Sequence, residues 1–230
     1  MKALMFSWNG EVDALQFDSD IYFLQRWKER FTKDVRDKEY NYHYTNNYGK
    51  RGLCIIDKNN KLDVEVGQFN YHIKNLTDET QGRYWQKLKL GKYKIIHSSI
   101  CYPDPEEQIP QKSEIINNFD SGRVPYKVYY EQGKELLSMI DDNTLILTDL
   151  HFEDSEIEQQ KVLSLKERNI KNHLKDFGTF TNKRNYNASL DKILTTENSN
   201  IKISDIDVIK CKKENSDYGH WPIQFEIQFA

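Results

Sequence analysis

The segment ENSDYGHWPIQFEIQFA, at the C-terminal end of the chain, sets Asp217 and His220 in a short loop directly ahead of an alternating apolar run. A carboxylate that hydrogen-bonds an imidazole fixes its tautomer and steadies its charge, which equips a histidine for acid–base work near neutral pH. The same residues also make an ordinary polar turn, and their spacing leaves both readings open. Three more apolar runs carry polar side chains at an end: Asn9 after LMFSW, Asp149 with His151 after TLIL, and Asp191 at the start of DKIL. Asp149 is the strongest of these, because an aspartate ending a buried strand loses its hydration and demands a partner. In an extended chain Asp149 and His151 project to the same side. Asn9 reads equally well as a turn former or a phosphate contact. Asp191 either joins such a site or pairs with Lys183 or Lys192.

Standard sites are missing. The sequence has no GxxxxGK[ST] loop, no GxGxxG after a strand, no GxSxG and no HExxH. Its three cysteines, Cys54, Cys101 and Cys211, are scattered and form no CxxC pair, as expected of reduced thiols in a cytoplasmic protein. A formal net charge of -3 argues against coating nucleic acid by bulk electrostatics. The basic runs KLKLGKYK, TNKRN and KCKK leave room for a local basic groove or, more ordinarily, a solvated face. Mean hydropathy is -0.83, and no apolar run approaches the roughly 20 residues of a membrane helix, so no membrane association is expected. The opening MKALMFSWNG turns polar too early for a signal peptide and reads as a first strand.

The elements that must position these side chains are mostly strands. ALMFSW, DIYFLQ, GLCIID, YKIIHSSI, TLILTDL, LDKILT, DIDVIK and IQFEIQF each carry strand-like apolar content. In the last, Ile223, Phe225, Ile227 and Phe229 share one side, and Gln224, Glu226 and Gln228 the other. Helices are expected over 113–118, 125–140 and 155–174. The third has a Ser155/Glu158 capping box and a stripe of Val162, Leu163, Leu165 and Ile170. His43 and His72 lie in Tyr-rich polar stretches that read as surface loop and strand, with base stacking as the alternative use of the tyrosines. With no repeat and no low-complexity linker, residues 1–230 read as a single domain of α/β class, sheets covered by helices.

Taken in order, SWN, DIYFLQ, NYGKRGLCII, LILTDLH, GTF followed by LDKIL, and a terminal SD with HWP resemble the endonuclease/exonuclease/phosphatase superfamily across essentially the whole chain. That superfamily includes pancreatic-type deoxyribonuclease, abasic-site endonucleases and inositol-phosphate phosphatases. The resemblance implies a four-layer α-β-β-α sandwich of two packed mixed sheets, a phosphodiester site at one edge, and magnesium or manganese. It implies that Asn9 organises metal and phosphate, that Asp149 positions or deprotonates the attacking water, and that Asp191 lies near the metal. Asp217 would orient His220, which would stabilise the charge of the phosphorane-like transition state.

Three positions depart from the pattern. Arg26 stands where a metal-binding Glu is expected, and a guanidinium cannot coordinate a cation. His151 replaces an Asn that positions water, and Ser99 replaces a His. Glu29, one helical turn past Arg26, is the candidate replacement metal ligand if that segment is helical. His97 replaces the lost His only with a register shift of two. The implied function is a metal-dependent phosphodiesterase, foremost a nuclease acting on DNA or RNA. The alternative is a catalytically degenerate member that binds nucleic acid or a protein partner, with Arg26 supplying charge to a phosphate. A phosphatase of small phosphorylated molecules or lipid headgroups is a third, weaker reading.

Overall fold

The computed structural model describes residues 1–7, 13–48, 51–71, 84–100, 126–151, 163–181, 187–211 and 219–230. Asn9, His72, Ser155, Glu158, Asp217 and the expected helix 113–118 lie outside the described residues. The first half contains β1 (Lys2–Ser7), β2 (Ile21–Lys28), a short helix α1 (Thr32–Asp37), β3 (Asn41–Tyr48), β4 (Arg51–Asp57) and β5 (Val64–Gln68). The middle of the chain forms β6 (Tyr84–Leu90), β7 (Tyr93–Ser99), the longer helix α2 (Tyr126–Ser138) and β8 (Thr144–Asp149). Then follow β9 (Ile170–Asn172), β10 (Phe180–Thr181), β11 (Asn187–Ala188) and β12 (Asp191–Thr196). The last strands are β13 (Ile201–Val208), β14 (Gly219–His220) and β15 (Ile223–Phe229).

Two six-stranded mixed sheets carry the fold. The first has the order β13-β15-β1-β2-β4-β3, the second β5-β6-β7-β8-β12-β9. Each has one parallel pair at its middle, β1 with β2 and β7 with β8, and antiparallel neighbours elsewhere. Alternation explains the layering. Ala3, Met5, Ile21, Phe23, Ile55, Phe225 and Ile227 of the first sheet pack against Ile95, Leu145, Leu147 and Ile193 of the second in one inter-sheet core. The intervening residues of each strand face outward. Tyr22, Leu24, Trp27, Cys54 and Ile56 meet Val35 of α1, and Ile96, Ile146 and Leu194 meet Tyr129, Leu136 and Leu137 of α2. Sheet on sheet, with a helical layer outside each, is the expected sandwich.

All eight strand-like runs are strands, and the helix expected over 125–140 is α2. The helix expected over 155–174 is corrected for its described part. Lys166–Arg168 form a single 3₁₀ turn, Asn169 enters the left-handed region at φ 53°, and Ile170–Asn172 pair with β12. Leu163, Leu165 and Ile170 are buried as that stripe required, but as a turn and an edge strand. Tyr42 and Tyr44 of β3, with Tyr40 ahead of it, pack against the outer cluster of the first sheet, so these rings are committed to packing. The KLKLGKYK run is the β6–β7 hairpin, turning through Gly91 at φ 62°. Glu65 lies 3.0 Å from Lys87 and 3.1 Å from Lys89, and Asp141 lies 2.6 Å from Lys94, so three of its four lysines lie beside an acid.

Candidate active site

The ends of the two parallel pairs meet at one rim of the sandwich. In the second sheet Ser99 is opposite Asp149, and Asp149 is opposite Asp191, forming one row across β7, β8 and β12. Strand parity puts this row on the face of Leu147 and Ile193, toward the first sheet. Asp149 is wholly buried, and Asp191 is 1% exposed. From the first sheet, Gln25 donates through Nε2 to the carbonyl of Ser98 at 2.7 Å and ties β2 to β7 at the same rim.

Three side chains converge on these carboxylates. Asp149 Oδ1 accepts the backbone N–H of His151 at 2.9 Å, and the left-handed backbone of His151 (φ 60°) turns its ring back. His151 Nδ1 then lies 3.1 Å from Asp149 Oδ2, and Nε2 lies 2.9 Å from the carbonyl oxygen of Ile100, so both ring nitrogens face acceptors. His220 arrives on β14, which pairs with β10 in a small three-stranded sheet, and its ring meets Phe180 edge-on at 5.0 Å. Its Nδ1 is 2.8 Å from Asp191 Oδ2, and its Nε2 is 3.5 Å from Asp149 Oδ2. Arg26 completes the ring, with Nη2 3.9 Å from Asp149 Oδ2. Thr179 fixes the approach of β12 by accepting the backbone N–H groups of Leu190 and Asp191, both at 3.1 Å.

The electrostatics follow from this crowding. Burial alone would raise the Asp149 carboxyl, but the charges of His151, His220 and Arg26 more than offset it and hold the group well below the usual carboxylate range. Burial alone would lower His220, and Asp191 and Asp149 reverse that, raising it above 6.5. His220 thus lies between two carboxylates that favour its protonated form. Asp191 Oδ1 accepts no hydrogen bond among the described residues.

Several sequence expectations change. Asp191, which the resemblance placed near the metal, holds Nδ1 of His220, while the implied pairing of His220 with Asp217 lies outside the described residues. Asp191 does not pair with Lys192, whose Nζ donates to the carbonyl of Ser189. Glu29 is corrected as a metal candidate: Ile21–Lys28 is a strand, so the one-turn spacing from Arg26 does not apply. Glu29 lies exposed on a 3₁₀ turn, outside the group at Asp149, and its charge acts on Tyr44. His97 makes no register shift. It pairs with Leu147 in the core, with Nδ1 3.2 Å from Gln86 Oε1 and its ring against Phe23. Ser99 sits at the rim, 7% exposed.

No family model matches the chain, and no curated protein matches it. Solved structures do. A 3′ phosphatase from Neisseria, bound to a product DNA hairpin, is 14% identical, covers 100% of both chains and has a TM-score of 0.63. An AP endonuclease from Archaeoglobus fulgidus is 15% identical over 98% of each chain, with a TM-score of 0.60. An endonuclease/exonuclease/phosphatase family protein from Leptotrichia buccalis is 15% identical over 100% of each, with a TM-score of 0.59. The chain has the endonuclease/exonuclease/phosphatase fold.

Within this deoxyribonuclease-like fold the magnesium or manganese implied by the sequence can be tested against the donors present. Asp149, Asp191 and His220 each place one ligand atom within 4.8 Å of the others, so a grouping able to hold a cation exists. It fits magnesium poorly. Magnesium asks for near-octahedral oxygen ligation, while here one of the three donors is an imidazole whose two nitrogens already face the other two residues. A divalent ion held by these donors would also be repelled by the Arg26 guanidinium, whose Nη2 lies 3.9 Å from Asp149 Oδ2. The contributions of Gln25 and Thr179 carried no sequence signal beyond their place in DIYFLQ and GTF.

Proposed function

We propose that the chain is a phosphodiesterase acting on nucleic acid. The reading is carried by one observation: three nitrogens, from His151, His220 and Arg26, ring a single buried oxygen of Asp149, while Asp191 anchors His220 from behind. A phosphate entering this ring would take the Arg26 and His220 donors for its own oxygens. Withdrawing those charges from Asp149 makes its carboxylate more basic, which suits it to receive the proton of an attacking water. Water oxygen bonds to phosphorus, the leaving oxygen departs with the His220 proton, and the proton on Asp149 returns to His220 across their 3.5 Å separation. Arg26 and His220 stabilise the charge on the phosphorane oxygens. Ser99, at the rim, and Asn9 are assigned to substrate contact, and His151 to fixing Asp149.

Nucleic acid as the substrate class is supported by the DNA hairpin held by the Neisseria structure of the same fold. The second reading, binding without turnover, is favoured by the Arg26–Asp149 ion pair, which keeps the carboxylate a poor base until a phosphate displaces it. Incubation with plasmid, single-stranded DNA and RNA separates the two. Cleavage lost in Asp149→Ala supports the enzyme. Binding without cleavage, weakened by Arg26→Glu, supports the binder. Neither cleavage nor binding overturns both.

A further inference from the structure

Arg26 occupies an irregular position in its strand. Leu24 pairs with Cys54, and Trp27 pairs with Gly52, so Gln25 and Arg26 together face the single residue Leu53. Arg26 is the extra residue of a β-bulge, in the left-handed region at φ 56°, which a non-glycine side chain rarely adopts. Parity shows what the bulge does. Ile21 and Phe23 face the inter-sheet core and Gln25 reaches Ser98, whereas Tyr22 and Leu24 face outward. Regular alternation would send Arg26 outward with Leu24. Instead Trp27 takes that outward place, and Arg26 is turned across to Asp149 in the other sheet. Left-handed backbone at a bulge beside a site is strain that aims one side chain.

The ion pair Arg26 makes is also where a metal would have to act. Asp149 Oδ2 is within 3.1–3.9 Å of three nitrogens, and His220 bridges it to Asp191. Two carboxylates thus already have Arg26 and two imidazoles of the chain itself as neighbours.

We propose that this site engages its phosphodiester without a divalent cation: the bulge delivers Arg26 as a built-in cation, and Arg26 with His220 forms a two-point receptor for one phosphate group. The guanidinium supplies two parallel N–H donors to two phosphate oxygens, which a point charge does not. The proposal rests on the phosphodiester reading above for its ligand, while its claim about the cation stands on Arg26 and is tested separately.

Two measurements on the full chain, freed of metal by chelation, decide it. In the first, aqueous Mn²⁺ is titrated in and followed by its electron paramagnetic resonance signal. Wild type leaves the free Mn²⁺ signal undiminished, whereas Arg26→Glu, which adds a third carboxylate to the group, takes up one Mn²⁺ per chain. In the second, a fluorescein-labelled single-stranded oligonucleotide is titrated at matched ionic strength with EDTA or with Mg²⁺. Wild-type affinity is the same in both within about twofold, and Arg26→Gln, which folds without an added charge, weakens it roughly tenfold without gaining Mn²⁺. Melting curves confirm that each variant is folded. Stoichiometric Mn²⁺ uptake by wild type that disappears in Asp149→Asn overturns the proposal, as does oligonucleotide binding or cleavage abolished by EDTA. If Mn²⁺ stays free and no nucleic acid binds under either condition, the nucleic-acid reading falls while the absence of a metal seat stands.

Discussion

Asp191 Oδ2 and His220 Nδ1 lie 2.8 Å apart although 29 positions separate them, and neither is more than 7% exposed. The contact depends on two strand pairings, β12 with β8 and β14 with β10, so both must form before the histidine is oriented. Asp191→Asn leaves the ring buried with a weaker partner. Loss of one member of a buried pair costs on the order of 3 kcal/mol. Calorimetric melting at neutral pH should show that loss, and any phosphodiester cleavage should fall at least about a hundredfold with little change in substrate affinity.

The raised His220 value fixes a pH dependence. A group whose folded value lies above its unfolded value of 6.5 stabilises the fold fully below 6.5 and loses that contribution as pH climbs through the folded value. The melting temperature of wild type should therefore exceed that of His220→Gln most clearly on the acidic side of 6.5, and the two curves should converge toward alkaline pH. A gap that widens with rising pH would contradict the upward shift of His220.

His97 behaves oppositely. Burial lowers it to about 3, so it stays neutral in the fold while the unfolded chain gains its proton below 6.5. Stability should fall as pH drops through that window, by about 3 kcal/mol at about pH 4.5 from this residue. Urea unfolding of His97→Leu, compared with wild type across that range, should show a shallower acid slope whatever its stability at neutral pH.

The basic hairpin and the rim arginine should separate in salt titrations. Lys87 and Lys89 share Glu65, and exposed pairs of this kind contribute at most about 1 kcal/mol. The double change Lys87→Gln with Lys89→Gln should leave oligonucleotide affinity nearly unchanged. Arg26→Gln should lower the slope of log affinity against log salt by about one phosphate contact. Equal effects from both would place nucleic acid on the hairpin as well.

Strands whose apolar content is strong were legible in the sequence, because a half-buried pleated surface requires that content. The two-residue β10, β11 and β14 were not, since so short a run has no period to read. The stripe at Leu163, Leu165 and Ile170 predicted burial correctly and geometry wrongly, because one left-handed residue at Asn169 redirects the chain into an edge strand. Asp149, Asp191 and His220 were identifiable as chemistry-bearing residues, but their pairing was not. Asp191 and His220 are 29 positions apart, and cross-strand register brings them together. Arg26 was visible as an unexpected cation. The bulge that aims it is a property of pairing between β2 and β4, which the sequence of β2 alone does not contain.

Because Arg26 is the surplus member of that bulge, its guanidinium is separable from the framework. Deleting one codon there would restore even alternation, leave Trp27 on its outward side and strip the rim of its fixed positive charge in one step.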